Sequence, residues 1–63
     1  MEQAVEHNFT SLEERDAVTA WLDKHVGADT EVDTDGNEGS IISYLTWGET
    51  KKFLVWLKEK KYA

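Results

Sequence analysis

Polar and apolar positions alternate one by one from Gln3 to Phe9. Val5, His7 and Phe9 fall on one side, and Ala4, Glu6 and Asn8 on the other. A period of two over a short run predicts a strand with one wet face. The period then lengthens. Val18, Trp21, Leu22, His25 and Val26 recur at helical spacing and share one arc, which predicts an amphipathic helix. Thr10 and Ser11 are each followed at the third position by a glutamate, Glu13 and Glu14. Either pair can form the capping box that starts this helix. Gly27 is the expected residue just past its end, where the chain turns left-handed. Glu13, Asp16, Ala20 and Asp23 point the other way, toward water.

The pattern becomes extended again around an acidic stretch, Asp29 to Glu38. Gly36-Asn37 is a turn signal, and the run Ile41, Ile42, Tyr44, Thr46, Trp47 is β-branched and aromatic. Together they predict a hairpin of Thr30–Thr34 with Gly39–Thr46. A turn centred on Gly36-Asn37 sets Val32 opposite Ile41 and Asp33 opposite Ser40. Ile41 and Leu45 then face one side with Val32. Ile42 and Tyr44 face the other, beside Glu31 and Asp33.

The last segment, Trp47 to Tyr62, returns to helical spacing. Thr46 and Glu49 fit a capping box, and Phe53, Leu54, Trp56 and Leu57 fall within an arc of about 160°. Glu49 in the first turn and Lys58, Lys60 and Lys61 in the last suit the helix dipole. Val55 and Tyr62 are expected together on the opposite side.

The order β-α-β-β-α predicts an α+β fold of two layers: a small three-stranded sheet with two helices packed on one face. Residues 1–63 make a single domain. The far sheet face is expected to stay open, with Ile42 and Tyr44 among carboxylates.

Composition narrows what such a fold can do. A 63-residue chain buries only about 60% of its unfolded surface. It has no cysteine and therefore no disulfide or thiolate metal site. Three tryptophans strengthen a small core: Trp21 and Trp56 lie on core arcs, whereas Trp47 sits at the strand–helix junction. The acidic N-terminal stretch lacks the apolar core of a signal peptide, and no run approaches the roughly 20 apolar residues of a membrane span. The expected location is the cytoplasm.

Charge is unevenly spread. Residues 1–50 carry −10 and residues 51–63 carry +4, for a net −6. Such a body repels phosphate backbones, so no direct nucleic-acid binding is expected despite the five lysines of the last segment. Those lysines are expected to form a solvated helix end that also pairs with carboxylates of the body. A basic protein surface is the natural electrostatic partner. A second copy is another, its basic helix meeting an acidic hairpin.

Three constellations bear on chemistry. Asp33, Asp35, Gly36, Asn37, Gly39 and Ile41 resemble part of an EF-hand or related calcium loop, with oxygen ligands at alternating positions around a glycine turn. Counted from Asp33, however, Glu38 occupies the glycine position and Tyr44 the twelfth. Counted from Glu31, Gly36 is correctly sixth but Ile42 is twelfth. A solvated acidic hairpin is the simpler reading, and a weak calcium site through Asp29–Glu38 the alternative. His7 and His25 both sit on core-facing positions and read as packed histidines, not metal ligands. No serine–histidine spacing supports a triad. A layer this thin is expected to lack the walls of a ligand pocket of several hundred Å³. The expectation is a non-enzymatic protein-binding module without cofactor or metal.

Its sharpest form is an inhibitor acting as a DNA mimic, with carboxylates placed where a basic protein expects phosphates. The residues expected to carry it are Glu13, Asp16 and Asp23 on the first helix, Glu31, Asp33, Asp35 and Glu38 on the hairpin, and Tyr44 beside them. In length, charge and lack of motifs the chain is similar in kind to small phage-encoded proteins that bind host proteins.

Overall fold

A computed structural model describes all residues except Ala28 and Asp29. It contains β1 (Gln3–Phe9), α1 (Leu12–His25), β2 (Thr30–Asp35), β3 (Glu38–Leu45) and α2 (Trp47–Lys60). The strand order is β1-β3-β2, and β3 runs antiparallel to both neighbours. The last strand of the hairpin thus inserts between the two strands that α1 connects. The hairpin register is the expected one, Val32 with Ile41 and Asp33 with Ser40. Gly36 has φ of 66°, and Lys61 is the one non-glycine residue with positive φ among those described. Positive φ at Gly36 and not at Asn37 is the sign pattern of a type II′ turn, which wants glycine first.

The helices share one sheet face. Phe9, Val18, Leu22, Ile41, Leu45, Phe53 and Leu57 form one buried cluster drawn from every element except β2. Val32 faces the core side yet is 44% exposed; from α1 the Arg15 guanidinium reaches β2, donating to Thr34 Oγ1 at 3.4 Å. That strand is held by its ladder to β3. At the other end of the ladder Gly39 faces Phe9. A methyl group there would strike the Asp33 carbonyl and lie 2.7 Å from Phe9 Cζ, so the close approach requires glycine.

Capping follows side-chain chemistry. Of the two expected boxes at α1, Ser11 with Glu14 is the one formed: Ser11 Oγ accepts from the Glu14 N–H at 3.1 Å. The Glu14 carboxylate reaches one residue further back than in a standard box, accepting from the Thr10 N–H at 3.3 Å. At α2 both halves are present. Thr46 N–H donates to Glu49 Oε1 at 2.8 Å, and Glu49 N–H to Thr46 Oγ1 at 3.2 Å.

The end of α2 departs from the expectation. The helix stops at Lys60, and Lys61 adopts φ 63° and ψ 34°. Lys61 N–H donates to the Lys58 carbonyl and Tyr62 N–H to the Leu57 carbonyl, the paired bonds of a Schellman ending. The reversed chain carries Tyr62 back onto Trp56, edge-on at 5.9 Å, and not out beside Val55. Lysine holds this left-handed position at a steric cost that glycine avoids. Lys61→Gly should therefore stabilise the fold by about 0.5–1 kcal/mol, read as a higher urea midpoint at unchanged slope. An unchanged or lower midpoint would show that the conformation is not strained.

Leu54 is a second correction. It is 52% exposed, whereas Thr50, Phe53 and Leu57 are buried. The covered arc is narrower than the apolar one, because a helix resting on a thin sheet hides little more than the stripe that faces it. Ser43, at the centre of the core side, is buried, and its hydroxyl has no hydrogen-bond partner.

Candidate functional site

The open side of the sheet carries every second residue of each strand. Across the strands Glu6, Ile42 and Glu31 form one row, and Asn8, Ser40 and Asp33 the next. Asp35 with Glu38 closes the hairpin end, and Ala4 lies beside Tyr44. No lysine or arginine occurs in any of the three strands. Of the five carboxylates (Glu6, Glu31, Asp33, Asp35 and Glu38), Glu6 and Glu31 flank Ile42, while Asp33, Asp35 and Glu38 continue toward the hairpin end, away from the half-exposed Tyr44. Among the described residues none of the five forms an ion pair. Alternation along an extended strand sets Glu31, Asp33 and Asp35 about 6.8 Å apart.

Asp33, Asp35 and Glu38 also border a hollow of about 500 Å³ that reaches to Asn8, Thr10 and Ser40. A second hollow, of about 430 Å³, opens on the helical side among Trp21, His25, Lys51, Lys52, Val55 and Trp56. Both hollows are shallow and open to solvent, unlike a walled ligand pocket. The second lies where Trp21 of α1 and Trp56 of α2 stack at 5.5 Å.

The expected site residues separate into two groups. Glu31, Asp33, Asp35, Glu38 and Tyr44 come together on the open face. Glu13, Asp16 and Asp23 lie on the outer side of α1, which covers the opposite face of the sheet, so they do not join them. Asp16 is paired with Arg15 at 3.0 Å. Glu6 belongs to the open face and had not been singled out. Its signal was the alternation of β1 combined with the pairing of β1 to β3.

The lysines of α2 make no ion pair with the body among the described residues. They point outward from the helical layer while the sheet carboxylates point the opposite way, which corrects the expected intramolecular pairing.

The histidines differ from each other. His7 is largely buried, its Nε2 2.7 Å from Glu14 Oε2, and it meets Phe53 edge-on at 6.2 Å. His25 is exposed and stacks on Trp21 at 4.5 Å, with Nδ1 3.1 Å from the Trp21 carbonyl oxygen. Its place on the core arc fails because α1 ends there and the sheet does not extend beneath it. His7 and Glu14 form an acid–imidazole pair, which the hydrogen bonds from Thr10 to Glu14 and the edge-on contact of His7 with Phe53 tie into the structure.

Among the described residues no three His, Cys, Asp or Glu side chains converge to hold a metal ion. Asp29, the first residue of the acidic stretch, lies outside the described residues. Trp47 is 70% exposed at the start of α2, so the junction tryptophan is a surface residue. No described helix is long and apolar enough to cross a membrane. No protein-family model matches the chain, and neither a curated protein nor a solved structure does.

Proposed function

We propose that this protein is a non-enzymatic binding module that presents its open sheet face to a basic surface on another protein. The observation that carries the reading is the face itself: Ile42 and Tyr44, uncovered by either helix, beside a run of five carboxylates that form no ion pair among the described residues. An apolar patch bordered by charge is the anatomy of a protein interface. The uniform sign selects a positive partner and speeds encounter. Desolvating unpaired carboxylates is costly unless the partner supplies arginine or lysine.

A surface that normally holds nucleic acid meets this need. The spacing of about 6.8 Å along β2 is of the same order as the through-space distance between neighbouring phosphates of one DNA strand, which exceeds the roughly 3.4 Å axial rise because the strand winds round the axis. The face therefore suits a DNA mimic, with Glu31, Asp33 and Asp35 in the place of a phosphate row. The carboxylates of α1 are not needed for this.

The test is capture of proteins from a cell lysate on the immobilised chain, followed by competition with duplex DNA. Basic nucleic-acid-binding proteins should be held at low salt, released at high salt, and displaced by the DNA. Glu31→Lys with Asp33→Lys should abolish capture, while Glu13→Lys with Asp16→Lys should preserve it. Capture that survives reversal of the hairpin charges, or that DNA does not displace, would sink the reading.

A further inference from the structure

The two hollow or open surfaces of this molecule are complementary to one another. The groove between the helices is lined by Trp21, Trp56 and Val55, with Lys51 and Lys52 among its polar residues. It opens from the helical layer. The open sheet face points the opposite way and carries Tyr44, an exposed aromatic, with Glu6 and Glu31 on the neighbouring strands. One surface is concave, aromatic and largely basic, with Glu59 as its one carboxylate. The other is acidic with an apolar projection.

We propose that copies of this chain associate head to tail, with Tyr44 of one copy seated in the groove between the helices of the next. Lys51 and Lys52 then face the carboxylates flanking Tyr44, and ring meets ring inside a polar rim. What selects a second copy is local. Lys51 and Lys52 border the groove, and Glu6 and Glu31 lie beside Tyr44, so opposite charges meet at short range. The net charge of −6 on each copy opposes the approach and keeps the contact weak.

Because the two surfaces are different and lie on opposite sides, the contact is heterologous and does not close on two copies. It is also small. A face three strands wide falls short of the roughly 1,200–2,000 Å² buried in standard stable interfaces, so the association is weak and dependent on concentration. It occupies the same sheet face as the basic partner proposed above, and the two therefore compete.

Light scattering and sedimentation over a concentration series test this. The average mass should climb past two copies as concentration rises. Tyr44→Ala with Ile42→Ser removes the projection. Lys52→Asp with Val55→Asp spoils the groove. Each double variant should associate at least about tenfold more weakly, while circular dichroism shows both still folded. Mixed together they keep one good contact, the intact sheet face of one with the intact groove of the other, and should form a species that stops at two. A wild-type chain that stays monomeric, one that plateaus at two copies, or a mixture that fails to pair would each overturn the proposal. The groove variant leaves the sheet face whole, so its capture of basic proteins reports on the partner reading separately.

Discussion

Phe53→Ala is expected to destabilise the fold by about 3–5 kcal/mol, the range for a large aromatic removed from a core. Phe53 is only 1% exposed. Its ring stacks on Trp21 at 5.4 Å and on Trp56 at 6.5 Å, and meets His7 edge-on. It links Trp21 of α1, Trp56 of α2 and His7 of β1. At roughly 0.05–0.15 kcal/mol per residue, a chain of this length has about 3–9 kcal/mol in total. The substitution therefore removes most of the margin. Urea unfolding followed by circular dichroism measures it, and near-ultraviolet signals from the tryptophans should collapse in parallel. A loss under about 1 kcal/mol would mean that the helices are held to the sheet by something other than this ring.

The second large effect lies at the start of α1. Glu14→Ala should cost about 3 kcal/mol, because it strands a buried imidazole and leaves the Thr10 N–H without its acceptor. Glu14→Gln keeps the shape and one acceptor oxygen, and should cost less. A double-mutant cycle with His7→Ala isolates the pair, with an expected coupling of about 1–3 kcal/mol. Coupling near zero would show that Glu14 acts through the cap alone. Ser11 is the control: its loss removes the bond to the Glu14 N–H but leaves the carboxylate and His7 in place. About 1 kcal/mol is expected there.

The difference between these two residues shows what was legible in the sequence. Phe53 announced itself by spacing, and so did the five elements, the hairpin register and the layer order. Each rests on a local period or a turn signal. Glu14 was legible only as a capping residue. Its link to His7 depends on how α1 leaves β1, and no local period encodes that. The errors share this origin. His25 and Leu54 sit on correct apolar arcs but lie beyond the edge of what the opposing layer covers. Ser43 interrupts a core side that alternation alone would fill with apolar residues.

For the open face, the hairpin carboxylates and Tyr44 followed from register. The separation of Glu13, Asp16 and Asp23 from them followed from a layer order that had been expected but not applied to the charges. Glu6 was missed because a strand's partner at the far end of the chain has no sequence mark.

The central position of β3 has a consequence for how the chain reaches this structure. Its pairing with β2 is local, closed by the two-residue turn at Gly36-Asn37. Its pairing with β1 joins Phe9 to Gly39 and Gln3 to Leu45, across α1 and the hairpin. Closing the long loop costs more chain entropy than closing the short one. The hairpin can therefore assemble early, while β1 docks late against an edge already in place. Until β1 arrives, β3 presents an unpaired edge beside Ile41 and Leu45. In that interval a β1 strand from another copy could dock as readily as its own, which makes strand exchange the characteristic misassembly of this topology at high concentration.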